Sequence, residues 1–190
     1  MINPTQNARE FGQDEIIVSK TDLTGRITYV NDTFQRVSLF SESELLGQPH
    51  NLIRHPDMPR CVFKLLWETI AQGRELFAYV KNIAANGDYY WVFAHVTPSF
   101  DEAGNIVGYH SNRRYPDPST VEIIAALYRH LLEEENRHAN AKDGVNAGYE
   151  MLLKLMEAQG VSYDEFIFTL GNIQNTEDLD QALFSFRKAS

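Results

Sequence analysis

The chain has 190 residues, of which 43% are hydrophobic and 23% are charged. That length suits one domain with a sizeable core plus additional elements, and the composition excludes a disordered or collagen-like chain. The apolar runs end after a few residues, far short of the roughly 20 that a membrane-spanning helix needs. The N-terminus lacks the features of a signal peptide, so we expect a cytoplasmic protein with no membrane partner.

The charge of the chain is negative and unevenly distributed. Seventeen basic and 26 acidic side chains give a net charge of −9, which makes nucleic acid a poor partner. Residues 1–115 carry 11 basic and 13 acidic groups, net −2, whereas residues 116–190 carry 6 and 13, net −7. We therefore expect an N-terminal segment over residues 1–14, a domain over 15–115 and an acidic helical region over 116–190.

The single cysteine, Cys61, is predicted to be a small core residue. Alone it forms neither an internal disulfide nor a cysteine-based metal site, so we expect a reducing compartment and no metal.

In chain order, the first part alternates between strand and helix signals. A short apolar strand ends at Val18 and Ser19, residues 22–25 supply turn chemistry, and residues 26–30 alternate as the second arm of a hairpin. Residues 33–38 and 43–46 are short helical pieces. These elements predict a hairpin followed by connecting helices.

The next elements are a helix and three strands. Asp57 and Pro59 are typical of a helix start, and Gly73 of its end. Strands then run from Phe77 through an Asn-Gly turn at residues 86–87, and a further strand begins at Ile106. The order is ββ-ααα-βββ, which predicts an α+β fold with a five-stranded antiparallel sheet and short helices on one face.

The C-terminal region is predicted to be helical. Asp117 and Pro118 begin a helix that extends to about residue 138, and a second helix covers residues 145–158. Ser162 caps a short helix that holds Phe166 and Leu170. Thr176 caps a last helix, whose apolar positions are Leu179, Leu183 and Phe186.

Three segments together resemble one family. Residues 48–59 read QPHNLIRHPDMP, residues 29–34 read YVNDTF, and residues 80–92 hold the Asn-Gly hairpin. They resemble the PAS domain of bacterial aerotaxis receptors, which binds FAD, over residues 15–115. In those receptors a membrane anchor and a signalling bundle follow, and this sequence has neither. We therefore expect a free-standing soluble sensor.

The resemblance implies that Arg54, His55 and Asp57 bind FAD. Arg54 offers a fork of donors close to a helix N-terminus, which suits a buried diphosphate. Two structural alternatives remain. Arg54 pairs with Asp57 as a loop clamp, or Asp57 caps the following helix.

Further cofactor-binding residues are implied on the sheet and beside it. Asn82 corresponds to an amide against the polar edge of the isoalloxazine, although an edge-strand asparagine is the alternative. Tyr90 belongs to the alternating set that faces the pocket. Asn31 belongs to the motif at the exit of the second strand. Trp67 is a candidate for ring packing, since Leu76 replaces the receptors' tryptophan.

The last strand adds His110. If Ile106, Gly108 and His110 face inward, Gly108 lets the backbone approach a ring and His110 lies near the flavin N5. A histidine that is only hydrogen-bonded within the sheet is the alternative.

These observations favour a signalling protein that senses redox state or oxygen through noncovalently bound FAD. It would act on a signalling partner, or on a second copy through the helical region. The alternatives are a haem-binding oxygen sensor, with His50, His55 or His110 as ligand, and a ligand-free dimerisation or docking module. Residues 49–51 lack the cysteine that light-oxygen-voltage photochemistry requires. No nucleophile and base arrangement is visible, so we do not expect an enzyme.

Overall fold

The computed structural model describes residues 2–169, which form two compact units. Of the described residues, the first unit contains 2–56 and 67–116, and the second contains 57–66 and 117–169. The second unit thus includes residues 57–66, which lie within the domain predicted over residues 15–115. The predicted helix capped by Thr176, together with Leu170, lies outside the described residues.

The first unit contains a five-stranded antiparallel sheet, which confirms the predicted α+β fold. Its strands, in chain order, are β1 (Ile17–Thr21), β2 (Ile27–Val30), β3 (Leu76–Ile83), β4 (Tyr89–Phe100) and β5 (Ile106–Arg114). Their order across the sheet is β2-β1-β5-β4-β3. The chain thus brings its first and last strands together at the centre, so residues of β1 and β5 are neighbours.

Short helices connect β2 to β3, as the sequence predicts. They are α1 (Asp32–Ser38), α2 (Glu42–Leu45), a 3-10 turn (His50–Ile53) and α3 (Arg60–Ala71). The C-terminal helices are α4 (Pro118–Asn136), α5 (Ala141–Gln159) and α6 (Tyr163–Thr169). Within the described part of the chain, no helix combines the length and apolar character needed to cross a membrane.

Burial alternates along β4 and defines the two faces of the sheet. Tyr90, Val92 and Ala94 are buried, whereas Trp91 and Phe93 are partly exposed. This confirms that the set containing Tyr90 points to one buried face. We call this face, which also carries the side chains that contact α1 and the 3-10 turn, the inner face.

The N-terminal segment adds to the sheet. The backbone N–H of Thr5 donates to Gly87 at 2.8 Å, and Ala8 pairs in parallel with Tyr89. The Arg9 guanidinium donates to the carbonyl of Val37 at 3.0 Å, near the C-terminal end of α1. The segment is therefore held to the first unit by hydrogen bonds at both of these places.

In the second unit, the start of α3 is held by a carboxylate from α4. The backbone N–H groups of Arg60 and Cys61 donate to the buried Glu135 at 3.1 and 2.8 Å. The helix begins at Arg60, three residues after the predicted cap Asp57, which is exposed in a turn. Burial raises the pKa of the Cys61 thiol, and the Glu135 carboxylate raises it further. Cys61 is thus a buried core residue, as predicted.

Several apolar residues of α5 are buried, although Leu153 is exposed, and the helix approaches α4 closely. Met151, Leu152 and Leu155 are buried, and the Lys64 ammonium lies 4.5 Å from the centre of the Tyr149 ring. A Cβ atom on Gly144 would lie 2.2 Å from the carbonyl oxygen of Glu135. Only a glycine allows this approach.

We therefore expect Gly144→Ala to destabilise the protein, although alanine favours helix by about 1 kcal/mol. Forcing a methyl group against backbone costs about 1–3 kcal/mol net, measured as the free energy of unfolding in denaturant. Glu150→Ala, at an exposed position of α5, is the control and stays within about 0.5 kcal/mol. A Gly144→Ala protein that is more stable than wild type would contradict the close packing.

Candidate functional site

Polar side chains occupy the inner face of the sheet at several places, where an apolar core is the ordinary arrangement. Ser19 of β1, Asn82 of β3, and Ser111 and Arg113 of β5 are all buried. The register explains the grouping, since Ser19 pairs with Ser111 and Arg113 pairs with Ala94. Because side chains alternate along a strand, Ser111 and Arg113 share the face of Ala94.

Arg113 is the centre of a small hydrogen-bonded group. Its Nη2 donates to Ser19 Oγ at 2.9 Å and lies 2.7 Å from His50 Nε2. Ser19 Oγ is 3.3 Å from the same histidine nitrogen. The guanidinium carbon lies 5.5 Å from the centre of the Phe34 ring of α1. We call Ser19, His50 and Arg113 the Arg113 cluster.

The protonation states within this cluster follow from burial. Burial lowers the pKa of His50 to about 3, and the positive charge of Arg113 acts in the same direction. Burial also lowers the pKa of Arg113 to about 10, which still leaves the guanidinium charged at neutral pH. His50 is therefore neutral, so its Nε2 accepts the hydrogen bond from Arg113 and its Nδ1 carries the proton.

Three buried polar atoms on the inner face have no hydrogen-bond partner among the residues that the structure describes. They are Arg113 Nη1, Ser111 Oγ and Asn82 Nδ2. Leaving a buried donor unpaired costs about 1–3 kcal/mol, so native proteins rarely do so without a reason. Each of the three atoms can donate a hydrogen bond. The arrangement therefore suits a ligand with several acceptor atoms.

The segment that contains Arg54 and His55 lies beside β3. Arg54 forms an isolated antiparallel bridge with Asn82, and the backbone N–H of His55 donates to Lys81 at 3.3 Å. His55 is buried, and its ring lies edge-on to Tyr89 at 6.1 Å. The structure thus brings together Arg54, His55 and Asn82, three of the residues that the resemblance implies. Asp57 belongs to the second unit.

The Asn31 side chain forms hydrogen bonds to backbone groups. Its Oδ1 accepts from the N–H groups of Phe34 and Val18, both at 3.0 Å, and its Nδ2 donates to Ile16 at 2.8 Å. It therefore caps α1 and ties that helix to β1. These three bonds give the motif residue a structural role.

Trp67 lies at the turn between β1 and β2. Its ring would be 2.8 Å from a Cβ atom on Gly25, which has a positive φ of 77°, and it meets the Tyr109 ring edge-on at 5.6 Å. The side chain is 38% exposed. The structure therefore places Trp67 against this turn and not in the buried polar group.

The expectation that His110 faces inward is wrong. The buried residues of β5 are Gly108, Tyr109, Ser111 and Arg113, whereas His110 is only partly buried. His110 is paired with Lys20 and Thr97 on the opposite face. Burial and the nearby Lys20 charge both lower its pKa. Gly108 approaches the carbonyl of Thr21, 2.4 Å from where a Cβ would lie, and so serves strand packing.

The Arg113 cluster and Ser111 are absent from our sequence-based set of flavin-binding residues. The sequence predicts His50 only as a candidate haem ligand. The available signal was the polar run at residues 111–114, because serine and arginine at alternate positions must share one face of a strand.

Comparisons with known proteins agree with the observed fold. Residues 27–113 match the family described as PAS fold. The chain is 42% identical over 127 residues to the aerotaxis receptor of Escherichia coli, covering 67% of this chain and 25% of the receptor. It is 29% identical over 102 residues to the nitrogen fixation regulatory protein of Klebsiella pneumoniae, covering 54% of this chain and 21% of that protein. The chain thus spans about a quarter of the length of these relatives.

A solved structure shows the same fold. The blue-light photoreceptor Aureochrome1 LOV in its dark state has a TM-score of 0.51 and 22% identity. The match covers 62% of this chain and 84% of that one.

The buried neutral His50 predicts a specific pH dependence of stability. An unfolded histidine has a pKa near 6.5, so between that value and about 3 the unfolded chain binds one more proton than the folded chain. The free energy of unfolding therefore falls as the pH falls, by about 2 kcal/mol between pH 7 and pH 5 from this group alone.

The test is denaturant unfolding of His50→Gln at several pH values from 7 to 5. Glutamine accepts a hydrogen bond but does not titrate, so this variant loses about 2 kcal/mol less over the interval than wild type. Gln13→Ala, which changes an exposed residue without a titratable group, is the control and keeps the wild-type slope. Identical slopes for His50→Gln and wild type would show that His50 is not held neutral.

Proposed function

This chain belongs to the PAS family, and on that basis we propose that it is a signalling protein that binds FAD noncovalently on the inner face of its sheet. Bound FAD would make the protein responsive to redox state or oxygen. A change in the oxidation state of the flavin would be relayed to the C-terminal helices, to a signalling partner or to a second copy of the chain.

The observation that carries this proposal is the set of three unpaired donors at Arg113, Ser111 and Asn82. An isoalloxazine has carbonyl oxygens and ring nitrogens along its polar edge, and these accept hydrogen bonds. A ligand of that kind would satisfy donors whose burial is otherwise unfavourable. The donor chemistry therefore fits a flavin.

Sequence similarity supports the same ligand. The motif at residues 48–59 resembles that of the FAD-binding aerotaxis receptors, and Arg54 and His55 of this motif lie beside Asn82. We assign Arg54 to the FAD diphosphate, because a guanidinium suits two negative charges. Asp57 remains a proposed FAD-binding residue from the resemblance alone.

The chemistry that FAD would supply is reversible uptake of electrons. The protein would hold the ring with Asn82, Ser111 and Arg113, with Tyr90 of the same face among the ring contacts. Arg113 is near the end of β5, and α4 begins only five residues later at Pro118. A change in the hydrogen bonds of Arg113 is thus close in sequence to the start of the helical region.

A ligand-free docking module is less well supported by the same observations. Met151, Leu152 and Leu155 of α5 are buried and so do not form a free docking face, and the inner face retains unpaired donors. A module without a ligand gives no reason for these unpaired donors. We therefore retain ligand binding as the primary function.

We expect the purified protein to be yellow, with the paired blue absorption bands of oxidised flavin that disappear on reduction. Denaturation should release about one equivalent of FAD per chain, identified by chromatography. An intense Soret band would instead indicate haem. A colourless protein that takes up no added FAD would overturn the proposal.

Asn82→Ala should weaken FAD binding about 10- to 100-fold, because it removes one buried hydrogen bond to the ligand. The dissociation constant is measured by fluorescence quenching of added FAD. Asn105→Ala, in the exposed turn before β5, is the matched control and should bind as wild type does. Equal affinity of all three proteins would exclude Asn82 from the site.

A further inference from the structure

We propose that Arg113 supplies the positive counter-charge for the negative charge that the flavin ring gains on reduction, with Ser19 and His50 as its positioning residues. This inference rests on the proposed FAD binding. It means that one side chain of β5, Arg113, raises the reduction potential of the bound flavin.

The positive charge of Arg113 is buried. The side chain is 4% exposed, and no carboxylate pairs with it among the described residues. Its observed partners are a serine hydroxyl and a neutral imidazole. Burying an isolated charge is costly, so proteins pair such a charge or use it for function.

The Arg113 guanidinium is held in one orientation. Arg113 Nη2 donates hydrogen bonds to Ser19 Oγ at 2.9 Å and to His50 Nε2 at 2.7 Å. Phe34 lies under the planar group, and the His50 backbone N–H donates to Gly25 at 2.9 Å. These contacts fix the orientation of the guanidinium and leave Nη1 as the nitrogen that lacks a hydrogen-bond partner within residues 2–169.

Reduction changes the charge of the flavin ring. Uptake of two electrons from an external reductant and one proton from solvent converts a neutral oxidised ring into a ring with one negative charge. No bond to the protein forms or breaks. A nearby fixed positive charge in a buried site binds the reduced ring more tightly than the oxidised ring. By linkage, this difference in affinity is a rise in reduction potential.

The test is a potentiometric titration of the FAD-loaded full chain with dithionite and a reference dye. In Arg113→Met the preference for reduced over oxidised flavin should fall at least about tenfold, which lowers the potential by about 30 mV for a two-electron couple. Arg113→Lys keeps the charge and should retain most of the wild-type potential. Arg114→Met, at the neighbouring exposed arginine, is the matched control and should leave the potential unchanged.

The outcomes separate this inference from the proposed function. A wild-type chain without FAD overturns both. FAD bound to Arg113→Met at the wild-type potential overturns only the role of Arg113.

If Arg113→Met does not fold or hold FAD, His50→Leu provides the same test, because it removes the acceptor that positions Arg113. A lower potential in that variant supports the inference. A wild-type potential in His50→Leu overturns it.

Discussion

The organisation of the site depends on one buried contact, in which Arg113 of the last strand is held by Ser19 of the first strand and His50 of the 3-10 turn. A charged guanidinium inside a core is unfavourable unless its hydrogen bonds are satisfied. Its requirement for partners ties together two central strands and a loop that are distant in sequence. It also leaves one donor end available for a ligand.

The elements of the fold were predictable because their signals are local. The Asn-Gly turn, the Asp117 cap with the following proline, and the alternation along β4 each depend on neighbouring residues. The start of α3 was less predictable. The acceptor for its N–H groups at Arg60 and Cys61 is Glu135, 75 and 74 residues away, and no sequence window contains both.

The site was predicted only in part, and the errors have physical reasons. Spacing alone grouped His110 with Ile106 and Gly108 on a possible inner face, and hydrophobic periodicity gives no reason to bury a serine or an arginine. The structure instead buries Ser111 and Arg113 and leaves His110 on the other face. The motif also contains residues that serve the backbone, as Asn31 does through three hydrogen bonds. The resemblance implies that Arg54 and Asn82 belong to one site, and the structure pairs them. A family motif can thus identify residues that are distant in sequence but adjacent in the fold.

The central claim is that the unpaired donors on β3 and β5 form hydrogen bonds to the acceptor atoms of one flavin ring. A crystal structure of the purified chain with its cofactor tests it most directly. The account predicts isoalloxazine acceptors within about 2.7–3.2 Å of Asn82 Nδ2, Ser111 Oγ and Arg113 Nη1. A flavin bound elsewhere, with these three atoms still unpaired, would contradict the account.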